Sequence, residues 1–355
     1  MAKRIVIVGG GIIGASIAYH LALRGAEVTV LDEDELGGVA TSASWGWINA
    51  STGNPEPYAR LRMHSMRLWH RLDRAVPGLD LRWTGGLMWD LAEAELAAYE
   101  EEHTSWGYPV RIVDRSEAAR LEPNIADPPR LAAHVEVEGS VEPRQAARAL
   151  LNDAVSRGAC VLPRVKVEGI AVSGGRAQAV ASSAGRIAAD EIVVAAGVAT
   201  PALLSTAGVS LSLRCPPGQL VVTRPVAPLL RGLVMAPGLH MRQRRDGAVV
   251  AGESFGGSDP REEPRAAAEA CLSKVRAMLK PVAALELDHY TIGARPTPTD
   301  GFPAVGRPAG IDGLYVAAMH SGVTLAPAIG RFASDELLDG RRDAMLEGYG
   351  MDRFA

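Results

Sequence analysis

The sequence predicts an α/β fold that opens with a strand–helix–strand unit. Residues Lys3–Val8 and Glu27–Leu31 are short apolar runs rich in β-branched residues. Between them, Ala15–Arg24 carries apolar residues at helical spacing, and Gly25 follows where a helix C-cap is expected. The alternation of strand and helix patterns resumes over Val141–Gly197, so this stretch is expected to return to the same sheet; within it, a hairpin is expected at Ser173-Gly174-Gly175. Because this alternation is typical of parallel sheets, a Rossmann-type first domain is expected.

A glycine-rich turn connects the first strand to the first helix. Gly9, Gly11 and Gly14 satisfy the pattern G-x-G-x-x-G, with Ile12 and Ile13 between the last two glycines. Gly9 permits the tight turn, Gly11 allows a pyrophosphate to approach the backbone, and Gly14 lets the helix lie close to the strand. The helix N-terminus then offers free N–H groups to phosphates. All five residues are predicted to contact a dinucleotide.

An acidic residue ends the second strand at the expected distance. Asp32 lies eighteen residues after Gly14, and Glu33 follows it in the same predicted site. A carboxylate at this position accepts hydrogen bonds from both ribose hydroxyls of an adenosine and disfavours a 2′-phosphate, so NADP is not expected. This stretch leaves NAD and FAD both open.

Composition narrows the class of protein. A length of 355 residues suggests two domains, and 47% hydrophobic with 22% charged residues is typical of a globular protein. A net charge of −4 gives no reason to expect nucleic acid or an anionic membrane as partner. No run reaches the roughly 18 apolar residues of a membrane span. Cys160, Cys215 and Cys271 match no metal spacing and are interpreted as reduced core thiols of a cytoplasmic protein.

The patterns along the rest of the chain predict further helices and strands. The helices are expected at Tyr58–Leu72, Ala92–Trp106, Arg115–Leu121, Arg144–Arg157, Arg261–Lys280 and Val323–Leu338. The strands are expected at Leu81–Asp90 (a strand or a hairpin), Ala132–Val137, Cys160–Leu162, Val165–Val172, Gln178–Ser182, Ile187–Gly197 and Leu314–Ala317, with 220–251 rich in strands.

Two loops and one helix start carry the remaining site signals. Gly37–Asn49 is small and polar, with hydroxyls at Thr41 and Ser42 that could follow a cofactor, although an ordinary surface loop is the alternative. Gly293–Pro303 is rich in proline and glycine and contains a single arginine, Arg295. His320 precedes the start of the last predicted helix.

These stretches together resemble a known family. The chain resembles the FAD-dependent amino-acid and amine oxidoreductases of the D-amino-acid oxidase superfamily, in the branch of glycine oxidase, sarcosine oxidase and D-amino-acid dehydrogenase. The resemblance runs almost from end to end. The matching stretches are Val8–Gly14 with Asp32, Ala40–Ser42, Gly139–Pro143, Val193–Gly197, Pro217–Gln219, Gly293–Gly301 and His320–Pro327.

The resemblance implies FAD rather than NAD as the cofactor. It implies that Thr41 and Ser42 lie along the pyrophosphate and flavin, that Val165 frames the adenine, and that Gly197 lets the backbone pass close to the cofactor. The covalent cysteine of sarcosine oxidase would fall near Gly293, where this sequence has none. Non-covalent FAD is therefore expected.

The resemblance also implies two interleaved domains. The FAD-binding domain is expected to be discontinuous, over 1–84, 139–215 and 291–355. The substrate domain, a mixed antiparallel sheet with helices, is expected over 85–138 and 216–290. Ile7 and Val193 should then share one sheet.

The substrate side of the site is assigned to three residues. Arg295 occupies the position where the family binds the substrate carboxylate, which a guanidinium holds through two parallel hydrogen bonds. His320 is expected to border the flavin ring or to be structural. His240 stands where glycine oxidase has a substrate-contacting tyrosine, and Phe255 where it has a methionine, so a different substrate pocket is expected.

The start of the last helix completes the expected cofactor site. Its dipole would stabilise the negative charge that a reduced flavin gathers near N1 and the C2 carbonyl. The residues assigned to this position are Ser321, Gly322, Val323 and Thr324.

The expected activity is oxidation of a primary or secondary amine of an amino acid to the imine, by hydride transfer to flavin N5, followed by hydrolysis. A dehydrogenase that passes electrons to an acceptor other than oxygen is one alternative. A flavin-binding subunit of a hetero-oligomer is another, and an NAD-dependent dehydrogenase is a third. The sequence leaves the substrate side chain, its stereochemistry, the electron acceptor and the oligomeric state open.

Overall fold

The computed structural model describes residues 2–51, 53–253, 260–280 and 285–354 of the chain. Phe255, one of the residues considered for the substrate pocket, lies outside these ranges. Within them, the α-helices are α1 (Ile12–Leu23), α2 (Val39–Ser42), α3 (Glu56–Ala75), α4 (Glu93–Ser105), α5 (Arg115–Leu121), α6 (Pro143–Ser156), α7 (Thr200–Ser205), α8 (Pro264–Met278) and α9 (Gly322–Asp339).

The strands of the described residues fall into several sheets. In chain order they are β1 (Arg4–Val8), β2 (Glu27–Leu31), β3 (Trp47–Ile48), β4 (Leu81–Arg82), β5 (Gly86–Met88), β6 (Val110–Asp114), β7 (Leu131–Val135), β8 (Gly139–Val141), β9 (Cys160–Leu162), β10 (Val167–Ser173), β11 (Arg176–Ser182), β12 (Gly185–Ala188), β13 (Glu191–Val194), β14 (Leu213–Arg214), β15 (Pro217–Thr223), β16 (Leu233–Ala236), β17 (Leu239–Gln243), β18 (Val249–Gly252), β19 (Leu287–Ala294), β20 (Thr297–Pro298), β21 (Ala304–Gly306) and β22 (Leu314–Ala318).

The first sheet has the order β21-β22-β13-β1-β2-β9. All its pairings are parallel except that of β21 with β22. Ile7 is paired with Val193, so the expectation that these two residues share a sheet is confirmed. The last pieces of the sheet, β21 and β22, come from the C-terminal part of the chain, which therefore returns to its beginning.

The side chains of β1 alternate between two cores. Ile5 and Ile7 pack with the helices α1, α6 and α9, whereas Val6 and Val8 pack with the antiparallel sheet β10-β11-β12 and with α7. Because successive residues of a strand point to opposite faces, a continuous apolar run fits a sheet that is covered on both sides. The α/β class predicted from the sequence is confirmed.

The second large sheet has the order β19-β15-β18-β17-β16-β5-β7-β6. Its pairings are antiparallel except for β5 with β16, which makes the sheet mixed, as expected. Helix α8 packs on one face through Leu272 and Val275. Strands from both segments assigned to the substrate domain lie in this sheet; the division of the chain into two domains, with its boundaries, stays a prediction.

Three local expectations were wrong. Leu81–Asp90 is not a hairpin, because β4 pairs with β8 and β5 pairs with β7 and β16 in another sheet. The hairpin β10–β11 forms a sheet of its own with β12 and does not join the parallel sheet. Cys160 and Cys215 are exposed rather than core residues; only Cys271 is buried.

Within the described residues, no helix is both long and apolar enough to cross a membrane. The same residues contain no cluster of three or more histidine, cysteine or acidic side chains arranged to hold a metal ion.

Candidate active site

A cavity of about 1080 Å³ lies where the parallel sheet faces the second large sheet. Its lining includes the residues that follow the carboxyl ends of β1, β2, β13 and β22, together with residues of β15, β17, β18 and β19. Ligands of open α/β sheets bind in the crevice beyond the carboxyl ends of the strands. This cavity is therefore the candidate site.

Two positions of the turn after β1 can be occupied only by glycine. Gly9 has a φ of +107°, and a Cβ there would lie 2.5 Å from the carbonyl oxygen of Ala195. A Cβ on Gly14 would overlap the carbonyl oxygen of Gly9. Gly14 does not line the cavity; it allows α1 to approach β1, as the sequence predicted.

Helix α1 begins at the cavity wall. Gly11, at its N-cap, lines the cavity together with Ile12 and Ile13. The backbone N–H of Ile12 donates a 3.1 Å hydrogen bond to Oγ1 of Thr41, which also lines the cavity. A Cβ on Gly11 would lie 3.3 Å from that oxygen, so the turn keeps open the space that a pyrophosphate needs. Ser42, by contrast, is exposed and is not among the lining residues.

Asp32 is placed to bind a ribose. Its two carboxylate oxygens accept backbone hydrogen bonds from Gly10 at 2.6 Å and Asp34 at 2.9 Å. These bonds fix the carboxylate and leave each oxygen able to accept a hydroxyl as well. Burial raises the pKa of Asp32 above its usual value, and the two hydrogen bonds oppose that rise. Glu33 and Val165 line the cavity beside it, and the backbone N–H of Val165 donates to the carbonyl oxygen of Asp32 at 2.8 Å.

A second helix N-terminus meets the first. Ser321, the N-cap of α9, adopts a left-handed conformation with a φ of +56°. Gly322 follows, and a Cβ on it would lie 3.4 Å from the Ile13 side chain, so α1 and α9 begin close together. Val323 and Thr324 also line the cavity. Left-handed non-glycine residues are costly and concentrate at functional sites, and two positive helix ends favour an anionic ligand here.

Arg295 projects from the end of β19 into the cavity. Its Nη1 donates to the carbonyl oxygen of Pro217 at 3.0 Å. A Cβ on Gly218 would collide with the guanidinium, which explains a glycine in the Pro217–Gln219 motif. Burial lowers the pKa of Arg295 from its usual value. Guanidinium groups stay charged in proteins.

His320 also lines the cavity. Its pKa is lowered to about 4, first by burial and then by the positive charges of Arg62 and Arg295. The imidazole is therefore neutral at pH 7. Its Nδ1 lies 3.2 Å from Oγ of Ser321, so the ring is tied to the start of α9.

His240 lies on β17 in an aromatic wall of the cavity. Its ring centroid is 5.8 Å from that of Trp45 and 6.3 Å from that of Trp47. Its Nε2 lies 3.1 Å from Oδ2 of Asp90, a partner that the sequence did not reveal. This wall, defined as Trp45, Trp47 and His240, differs from an ordinary surface loop because all three residues line the cavity.

Buried charged groups hold this wall in place. Nε of Arg242 donates to the carbonyl oxygen of Trp45 at 2.7 Å. The indole N–H of Trp47 donates to Glu138 at 2.8 Å, and the hydroxyl of Tyr108 donates to the same carboxyl at 2.6 Å. Sequence reasoning missed Glu138 because its partners come from distant parts of the chain.

Arg62 is a second lining residue that the sequence analysis missed. It lies on α3 and is only 7% exposed. A signal was available: Arg62 stands four residues after Tyr58 and four before Met66, on the apolar stripe of the helix rather than on its exposed face.

Gly197 also belongs to the cavity wall. It has a φ of +56° and lines the cavity. Of all predicted site residues, Gly14 and Ser42 alone are outside the lining formed by the described part of the chain. The residues present fit an adenine dinucleotide that carries a flavin, because the glycine turn, Asp32 and two helix N-termini share one cavity.

Comparison with known proteins identifies the family of the chain. The chain matches the family described as "DAO: FAD dependent oxidoreductase" over residues 4–336. It is 29% identical to glycine oxidase of Bacillus licheniformis over 94% of this chain and 92% of the relative. It is 26% identical to one of the opine oxidase subunits of Rhizobium meliloti over 98% and 96% of the two chains.

Solved structures of this family have the same fold. The crystal structure of glycine oxidase from Geobacillus kaustophilus has a TM-score of 0.86 at 25% identity, and all of both chains is covered. The crystal structure of iminodiacetate oxidase from Chelativorans sp. BNC1 has a TM-score of 0.83 at 28% identity over 98% of each chain. The chain therefore belongs to the DAO family of FAD-dependent oxidoreductases.

Proposed function

We propose that this FAD-dependent enzyme oxidises the primary or secondary amine of an amino acid to the imine, which water then hydrolyses. The observation that supports this proposal most is Arg295, a half-buried guanidinium in the same cavity as the FAD-binding turn. A carboxylate held there by two parallel hydrogen bonds would fix the orientation of the α-carbon. Glycine oxidase and iminodiacetate oxidase, both similar to this chain, have names that fit this substrate class.

The proposed reaction needs orientation more than acid–base groups. The α-carbon–hydrogen bond breaks, its electron pair leaves with the hydrogen as hydride, and the nitrogen lone pair forms the C=N bond. FAD, when bound, supplies the hydride acceptor at N5. Water then adds to the imine carbon, and the amine or ammonia departs.

In this proposal the residues of the cavity bind and orient the cofactor and the substrate. Gly9, Gly11 and Asp32 hold the nucleotide, while Thr41 shapes the turn around it. The N-terminus of α9 offers positive charge to the flavin. His320, neutral at pH 7, adds no charge beside Arg295. The aromatic wall closes the pocket on the side of the second sheet.

A dehydrogenase that is one subunit of a hetero-oligomer is the second candidate. The similarity to an opine oxidase subunit favours it, because that protein is named as one part of a larger enzyme. Co-purification with a second polypeptide, and reduction of a dye without oxygen uptake, would support this candidate over an oxidase.

The proposed function is tested by anaerobic titration of the purified enzyme with D-, L- and N-alkyl amino acids. At least one of them should bleach the visible flavin band and yield the corresponding 2-oxo acid. If none bleaches the band, the proposal is wrong. In the same preparation, acid denaturation should release FAD, whereas a flavin that stays with the precipitate would contradict non-covalent binding.

A further inference from the structure

Arg62 is a buried cation whose function the fold alone does not explain. It lies on the apolar stripe of α3, is 7% exposed, and lines the same cavity as Arg295. Its Nε donates to the carbonyl oxygen of Asn49 at 3.0 Å, and its Nη2 donates to Oδ1 of Asn49 at 2.5 Å. Its Cζ lies 5.6 Å from the centroid of the Tyr58 ring. These partners are all neutral.

The guanidinium of Arg62 keeps unused donors. Within the described residues, Arg62 forms no ion pair, and its Nη1 has no hydrogen-bond partner although it is not sealed from solvent. Because Arg62 lines the cavity, a ligand in the cavity can reach those donors. A buried charge without a charged partner is costly, so the position favours an anion.

The buried carboxyl of Glu138 does not serve as the counter-ion of Arg62. Glu138 is close enough to Arg62 for the two to interact electrostatically, but its oxygens are occupied by Tyr108 and Trp47. Burial raises the pKa of Glu138 to about 7, so it is partly neutral at physiological pH. The positive charge of Arg62 is therefore poorly compensated.

Arg62 and Arg295 act on the same part of the cavity. Arg62 is hydrogen-bonded to Asn49, whose backbone N–H donates to Oγ1 of Thr324 at 3.3 Å in the first turn of α9. Arg62, Arg295 and His320 all line the cavity. Both positive charges lower the pKa of His320, which is itself neutral at pH 7. The cavity thus contains two guanidinium groups whose charges both act on the neutral imidazole of His320. A substrate whose only carboxylate is held by Arg295 leaves Arg62 with neutral partners, whereas a second carboxylate gives Arg62 an anionic one.

We propose that Arg62 binds a second carboxylate, so that the preferred substrate is an amino acid with two carboxylates near its amine. This inference rests on the proposed function and narrows its substrate class. Two kinds of compound share this chemistry. In one the second carboxylate is on the nitrogen substituent, as in iminodiacetate, and in the other it is on the side chain, as in aspartate.

The test uses substrate pairs that differ only in the second carboxylate. Iminodiacetate is paired with sarcosine, and D- and L-aspartate with D- and L-alanine. With the FAD-loaded enzyme, kcat/KM should be at least roughly 30-fold higher for the dicarboxylate in one pair. The pair that shows the preference identifies the position of the second carboxylate. If no pair shows it, the inference is overturned while the proposed function can still stand.

Arg62→Gln should remove the preference. Its kcat/KM for the dicarboxylate should fall roughly 30-fold, while that for the matched monocarboxylate stays within about threefold. Equal losses on both would mean that Arg62 only supports Asn49, and would overturn the inference. Arg67→Gln, on the exposed face of the same helix, is the matched control and should change neither value. If Arg62→Gln does not fold, Arg62→Lys should still lose more on the dicarboxylate, because Lys lacks the planar pair of donors.

A binding measurement separates this inference from the proposed function. If neither the dicarboxylates nor the monocarboxylates bleach the flavin, the proposed function is wrong. The inference about Arg62 is then tested by the binding of malonate, a dicarboxylate, and of acetate, a monocarboxylate. Their binding is followed by the change in the visible flavin spectrum. Arg62→Gln should weaken malonate binding roughly tenfold and leave acetate unchanged. Unchanged malonate binding would overturn the inference.

Discussion

The nucleotide side and the substrate side of the cavity are built from different parts of the polypeptide. The nucleotide side consists largely of backbone: a glycine turn and the N-termini of α1 and α9, together with the carboxylate of Asp32. The substrate side consists of long side chains, among them Arg62, Arg295 and the aromatic wall. Substitutions on the nucleotide side disturb the backbone and therefore the fold. On the substrate side, single side chains can be replaced while the backbone stays the same. Substrate preference can therefore diverge while FAD binding is retained.

The largest expected effect is on the substrate side. Arg295→Ala should lower kcat/KM for a carboxylate-bearing substrate by roughly 30-fold to several-thousand-fold, since truncation of one partner of a buried charge pair costs about 2–5 kcal/mol. Arg295→Lys should recover only part, because an ammonium cannot make the planar two-bond contact. Steady-state kinetics and the ratio of flavin to protein absorbance measure both.

The FAD content of the two Arg295 variants serves as the control. The FAD content should equal that of the wild type, because Arg295 belongs to the substrate side of the cavity. A variant that loses FAD together with activity would show that the two halves are not independent.

The next effect concerns Glu138, which holds Trp47 in the aromatic wall. Burial raises its pKa from 4.5 to about 7, and its hydrogen bonds with Tyr108 and Trp47 oppose that rise. Because the folded-state pKa lies above the unfolded one, the stabilising contribution is complete below pH about 4.5 and is lost as the pH rises through about 7. The free energy of unfolding should fall by about 3 kcal/mol across this window from this group alone.

Glu138→Gln should lack this pH dependence, which urea unfolding at a series of pH values would measure. Glu136→Gln, an exposed site two residues away, should keep the behaviour of the wild type. A Glu138→Gln protein with the same pH profile as the wild type would rule out Glu138 as the group responsible.

A smaller change in the free energy of unfolding is expected for a substitution on the nucleotide side. Gly14→Ala places a methyl group against the carbonyl oxygen of Gly9 and should destabilise the fold by roughly 1–3 kcal/mol. Purified protein should contain less FAD, while the fraction that retains FAD should show normal substrate preference. Gly169→Ala is the control, because its added Cβ would meet only the Thr206 side chain, no closer than 3.5 Å. Equal losses in the two variants would contradict the importance of the α1–β1 approach.

The sequence predicted the nucleotide side of the cavity better than the substrate side. The turn at Gly9, the strand β2 and Asp32 depend on spacings within about thirty residues, and periodicity alone located them. Arg295 was found by resemblance. Arg62 and Glu138 were missed, because an arginine on an amphipathic helix or an acid after a strand becomes functional only when distant segments pack against it. The detached β10–β11 hairpin was misplaced for a similar reason, since pairing within a hairpin does not reveal which sheet it joins.

The assignment of Arg295 and of an amino-acid substrate is tested most directly by the rate at which substrate reduces the bound FAD in the absence of oxygen. The best amino acid of the panel is compared with the amine that lacks only its α-carboxylate. We predict that the amino acid reduces the flavin at least roughly 30-fold faster at equal concentration, because Arg295 orients the carboxylate. An amine without the carboxylate that reduces the flavin as fast or faster would contradict the assignment of Arg295 and of the amino-acid substrate.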